Sequence, residues 1–122
     1  MTARQDQRHF QKDVVENTRD LRTHKGLTKL RAALEARNVP AGEVLCAGYL
    51  ESEAGAAVGA VVSKDGTVHE FEFDHDSNEL VQFKKVKPGA VETYIDAIHV
   101  AIEFRDILFS QLQVSQKNAK KK

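Results

Sequence analysis

One cysteine, two prolines and no tryptophan occur among the 122 residues. The lone Cys46 excludes an intrachain disulfide framework and agrees with a reducing compartment. No stretch of about 18 apolar residues is present, so the sequence offers no membrane-spanning helix. The opening residues, Met1 to Arg8, are polar and lack the apolar segment of a secretory signal, which makes a cytoplasmic location the expectation. Also missing are a phosphate loop, a Gly-x-Ser-x-Gly elbow, a dinucleotide fingerprint and a metal-binding motif. No cofactor, catalytic set or metal ligand set is therefore assigned, and a non-enzymatic role is expected.

Apolar residues at 41% and charged residues at 30% describe an ordinary globular chain, long enough to bury a core of its own. The net charge of zero hides a division. Residues 1–37 hold nine Lys/Arg against five Asp/Glu, residues 38–116 hold five against thirteen, and the tail adds Lys117, Lys120, Lys121 and Lys122. A basic arm and a basic tail thus flank an acidic body, a pattern that bears on association rather than on fold.

Residues 1–8 and 114–122 read as disordered tails and residues 9–113 as a single domain. Two helices are predicted, over His9 to His24 and Leu27 to Arg37. The apolar row Phe10, Val14, Leu21 and the row Leu27, Leu30, Leu34 would face different ways on one continuous helix, and Gly26 lies at the junction. The first helix offers little apolar surface and is expected to dock loosely. Asn38-Val39-Pro40-Ala41-Gly42 then breaks the pattern.

Four short strands fill Val44 to Val86. Asp65-Gly66 predicts a two-residue hairpin turn, a register that sets Val62 opposite His69, Ala60 opposite Phe71 and Val58 opposite Phe73. Helices would pack on that apolar face, leaving Glu70 and Glu72 on an outer acidic one. An odd-length loop at Asp74-His75-Asp76-Ser77-Asn78 is expected, because an even one would turn Lys84 into the core. Small residues such as Gly59 in the second strand point to a close approach by a helix or second sheet.

A long helix over Val91 to Leu112 completes an α+β fold: N-terminal helices, a four-stranded antiparallel β-meander, and a C-terminal helix packed on one face of the sheet. Its polar residues, Glu92, Asp96, His99, Glu103, Asp106 and Ser110, recur at spacings of four and three. They occupy a strip only about 80° wide at about 100° per residue. A helix on a single sheet needs an apolar stripe of roughly 100° or more, and this one has far more, so it must be covered from two sides. The N-terminal helices are one cover. A second copy of the chain is the other, and a homodimer through Ile95, Ile98, Ile102 and Phe109 is expected.

Candidate chemistry is sparse. Asp96 and His99 stand one helical turn apart but lack the repeated Glu-x-x-His signature of a bundle metal site, and a solvent-facing strip explains them. Asp74 to Asn78 begins like a calcium loop but has Glu79 where the sixth-position Gly belongs and Lys85 where the final Glu belongs, so turn chemistry explains it. Cys46 reads as an inert strand cysteine. His69, with Phe71 and Phe83, marks a possible small-molecule or enzymatic pocket. Arg19, Arg22, Lys25, Lys29 and Arg31, with the Lys-rich tail, carry a weaker nucleic-acid reading. The favoured reading is a small protein-binding module of chaperone, immunity or adaptor type. Its contact surface would be Glu70, Glu72, Asp74, Asp76 and Glu79, attractive to a basic partner, with no membrane involved.

Overall fold

The computed structural model describes the backbone of residues 3–51 and 55–120, and the side chains of residues 8–51 and 55–113. It is an α+β fold in the order α1 (Ala3–Thr23), α2 (Thr28–Ala36), β1 (Val44–Glu51), β2 (Ala56–Ser63), β3 (Val68–Asp74), β4 (Glu79–Val86), α3 (Ile95–Glu103) and α4 (Arg105–Lys120). The strands form one antiparallel sheet in sequence order. Helix continues from Ala3 and to Lys120, into both stretches that the sequence reads as tails. Residues 1–2 and 121–122, and residues 52–54 of the connection expected to be a hairpin, lie outside the described residues.

The turn between β2 and β3 decides which faces become core. Gly66 N–H donates to the Ser63 carbonyl at 2.9 Å and Ser63 N–H to the Thr67 carbonyl at 2.9 Å, with Gly66 at φ +88°. That is a three-residue loop built on a type I turn and closed by a glycine bulge, not the two-residue turn expected. The Asp65 carboxylate accepts the Thr67 N–H at 2.9 Å, which braces the longer loop; hydrogen bonding from the Thr67 side chain first, and from its backbone second, lowers the Asp65 pKa. The register therefore moves by one: Val61 faces His69, Gly59 faces Phe71 and Ala57 faces Phe73. A shift of one turns a strand over. Each face of the sheet now carries apolar residues, and helices pack on both.

On one face Leu45, Ala47, Ala60, Val62 and Val68 pack against Ile98, Ala101 and Leu108 of the C-terminal helices. On the other Val44, Cys46, Ala57, Val61, Phe71 and Phe73 pack against Leu27, Leu30 and Leu34. The β3–β4 connection also differs from expectation. It is an even loop, Asp74 facing Glu79, and a bulge between Glu72 and Phe73 restores the parity, so that Lys84 still faces Glu70 and stays out of the core.

Helix α1 is not loosely docked. Val14, Thr18 and Leu21 are all within 1% of complete burial, and α1 lies along the outer edge of β1. The Thr18 hydroxyl accepts the Cys46 N–H at 2.8 Å while donating to the Val14 carbonyl at 2.6 Å, and Asn17 Nδ2 donates to the Ala47 carbonyl at 3.5 Å. Side chains of a helix thus satisfy backbone groups that an edge strand leaves open. A polar residue inside the apolar row does this work. Thr18→Val keeps the shape but orphans a buried N–H, so a loss of about 2 kcal/mol is expected in urea unfolding, with Thr18→Ser close to the unmodified protein.

Val14 and Val15 also join the cluster containing Ile98, Ala101 and Leu108. The second cover of the C-terminal helix is thereby supplied within one chain by α1. Ile98, expected at a subunit contact, is 0% exposed inside that core, which corrects its placement; Ile95, Ile102 and Phe109 are half-buried. The helix itself is two helices. It breaks at Phe104 (φ −109°, ψ 24°), where Arg105 Nη1 takes the Ile102 carbonyl at 3.0 Å. All six polar-strip residues, Glu92 through Ser110, are exposed as a solvent strip should be.

Candidate functional site

Helix cover on the α3 face is incomplete. Across the sheet run two neighbouring rows, Gly48–Ala60–Glu70–Lys84 and Leu50–Val58–Glu72–Gln82. The first is roofed at one end by Tyr94. A Cβ on Gly48 would lie 2.5 Å from that ring, so only glycine admits the ring there, and the Tyr94 hydroxyl donates to the Val58 carbonyl at 3.2 Å. The second row is open. Leu50 is 60% exposed, Val58 and Glu72 are half-buried and Gln82 is exposed.

The expected acidic residues gather round that open row, though not as one uniform face. Glu70 and Glu72 stand on the sheet, with Lys84 Nζ 3.7 Å from the Glu70 carboxylate. Asp74, Asp76 and Glu79 lie at the adjoining end, where Asp74 pairs with Ala56 and with Glu79. Glu51 stands at the same end, its carboxylate 2.8 Å from His75 Nε2. The loop needs no ion to hold its shape: Asp74 accepts the Asp76 N–H and the Ser77 hydroxyl, both at 3.0 Å, and Asn78 takes the positive φ of 58°. The sequence located the acids; the exposed Leu50 and half-buried Val58 in the same row as Glu72 it did not, because that row depends on the register.

His69, Phe71 and Phe83 do share a face, the one beneath α2. The His69 imidazole stacks on Phe83 with centroids 4.7 Å apart and planes 7° from parallel, and the Arg37 guanidinium lies 5.7 Å from the centre of the Phe83 ring. Phe71 is 1% exposed and presses on the bare Cα of Gly59, where an added Cβ would come within 2.8 Å of it. That close approach involves an aromatic ring and the Gly48 carbonyl of the adjacent strand rather than the helix or second sheet expected. His69 Nδ1 is buried without a hydrogen-bond partner. A proton there would have no acceptor, and desolvation followed by the nearby Lys85 charge lowers the His69 pKa, against a smaller opposing pull from Asp65.

The consequence for stability has a definite sign. A folded-state pKa below the unfolded value of about 6.5 means that the unfolded chain binds the proton more readily. Stability from this source is complete above about pH 6.5 and is lost as pH falls toward the lower, folded value. Urea midpoints measured from pH 7.5 to 5 should therefore fall with pH, and His69→Gln should flatten that slope.

The remaining candidates have structural employment. Burial pushes the Cys46 thiol up to about 12, so it is protonated at neutral pH and a poor nucleophile. Arg22 donates to the carbonyls of Ala41 and Gly42 at 3.2 and 3.1 Å. Arg31 donates to the carbonyls of Leu21 and His24 at 3.0 and 2.7 Å, capping the end of α1. Two of the five basic residues in the nucleic-acid reading are thus tied to the fold. Among the described residues no group of three or more His, Cys, Asp or Glu side chains is placed to hold a metal ion, and no helix is long and apolar enough to cross a membrane. No family model, curated protein or solved structure matches the chain.

Proposed function

We propose that this chain is a non-enzymatic docking module that engages a basic protein through the open part of its sheet. The observation that carries the reading is Leu50, 60% exposed beside Val58 in an open cross-strand row that continues to Glu72, with Glu70 on the neighbouring row and Asp74 and Glu79 paired beyond Glu72. An apolar centre within a charged rim is how specific interfaces are built, and the acidic rim steers a basic partner toward it. A cytoplasmic location belongs to the same reading, supported by the lone Cys46.

Affinity capture with three forms of the protein tests it. A basic protein should be retained by the unmodified chain, and lost with Leu50→Asp, which removes the apolar centre, and with Glu72→Lys, which reverses the rim. Identical capture by all three forms would dispose of the docking surface.

Self-association has its own support in Ile107, 53% exposed on α4 beside the half-buried Ile102, whereas Phe109 lies under the Lys64 ammonium. Ile107 and Ile102, rather than Ile98, would carry a homodimer. Light scattering should then give the mass of two chains, falling to one with Ile107→Asp. A single-chain mass for the unmodified protein removes the homodimer and leaves the docking surface untouched.

A further inference from the structure

A cleft of about 280 Å³ opens where α1, the bulge of β1 and residues 92–97 meet. Its lining includes the aromatic residues Phe10 and Tyr94 and the acidic residues Asp13, Glu92 and Asp96, with no Lys, Arg or His among the described residues. We infer that this cleft binds a small organic ammonium ion, a positively charged nitrogen on a short aliphatic stem.

The cavity's chemistry selects that class. Aromatic faces attract cations electrostatically and also accept aliphatic stems, whereas hard metal ions require a close shell of oxygens. The carboxylates form no such shell, since no metal-holding group of side chains exists among the described residues. They come instead from separate elements, Asp13 from α1 and Glu92 and Asp96 from the approach to and first turn of α3. Asp13 is approached by His9 at 3.3 Å; Glu92 and Asp96 have no ion pair among the described residues. The volume lies at the small end for ligand sites, roughly 300 Å³ and upward, which suits an ammonium head and a few methylenes.

The walls are held in place before any ligand arrives. Tyr94 is pinned between Gly48 and its hydrogen bond to the Val58 carbonyl. On the opposite side, α1 is fixed to β1 through Thr18 and Asn17. Positioned walls reduce the ordering cost of binding.

Such a head could belong to a free diamine or to a lysine side chain, and two probes separate these sources. Amide chemical shifts of the full chain would be followed at low salt during titration with 1,4-diaminobutane and, separately, with Nα-acetyl-lysine methylamide; 1-pentanol serves as the uncharged control. At least one charged probe should shift the amides of residues 92–97 and 47–49 saturably, while pentanol does not. The probe that binds more tightly identifies the source. The double variant Glu92→Gln, Asp96→Asn changes two exposed side chains and should keep its spectrum, yet bind about tenfold more weakly; Phe10→Leu should weaken binding several-fold. Glu70→Gln, on the open sheet, should leave it unchanged, which separates this cleft from the docking surface. Absence of saturable shifts with both charged probes, or equal affinity in the double variant, would overturn the inference.

Discussion

Ile98→Glu is expected to unfold the protein rather than dissociate it. The residue is 0% exposed within a cluster that unites α1, the sheet and both C-terminal helices. A carboxylate there would have to be buried without a partner or protonated, and the destabilisation should be about 4 kcal/mol or more. That is a large part of the roughly 5–15 kcal/mol that holds a domain together. Circular dichroism should show a strongly reduced melting temperature that does not rise with protein concentration. Ile107→Asp, one residue from the buried Leu108 but itself exposed, should melt close to the unmodified protein.

Gly59→Val carries the second large effect. The backbone of Gly59 is not in the left-handed region; the obstacle is space. A first side-chain atom would stand 2.4 Å from the Gly48 carbonyl and 2.8 Å from both Phe71 and Tyr49. A flexible side chain can retreat, but a strand carbonyl cannot do so without disturbing the β1 bulge. A loss of at least about 3 kcal/mol is expected, at the upper end for overpacking. By contrast Gly42 and Gly89 have open space where a Cβ would stand, and alanine at either should leave the denaturation midpoint nearly unchanged.

The α+β architecture, the strand order and the two-sided cover of the C-terminal helix were legible because each rests on hydrophobic periodicity or on a strong breaker. The faces of the sheet were harder. Asp65-Gly66 is compatible with both a two-residue and a three-residue turn, and the choice turns on the Asp65 bond to Thr67, which no periodicity reveals. That single residue of register determines whether β2 and β3 bury the same side or opposite sides. Opposite apolar sides are what require helices on both faces.

The role of α1 was hidden for a different reason. Val14, Thr18 and Leu21 follow helical spacing, but a row with threonine at its centre looks weak when only apolar area is considered. Its strength lies in the hydrogen bond to Cys46 across 28 residues. Likewise the break at Phe104 comes without proline or glycine, so a continuous polar strip was a fair reading of exposure but a poor guide to which apolar residues face outward. Ile107, beyond the break, is exposed, while Ile98, before it, is buried.

The same dependence on register explains the candidate sites. Acidic residues are visible in any sequence, and Glu70 and Glu72 stand on the sheet with Asp74, Asp76 and Glu79 at its adjoining end. Leu50 joins the row of Glu72, through Val58, only when β1 is paired with β2 and the bulge between Cys46 and Gly48 is in place. The cleft beside Tyr94 requires three segments distant in sequence to meet.

Photo-crosslinking in the native host, with a benzoylphenylalanine at position 50 and a control at the exposed position 32 on α2, tests the docking surface most directly. A basic protein joined from position 50 but not from position 32, and lost when salt screens the acidic rim, is the predicted result. No product from position 50, or the same products from both positions, would contradict it.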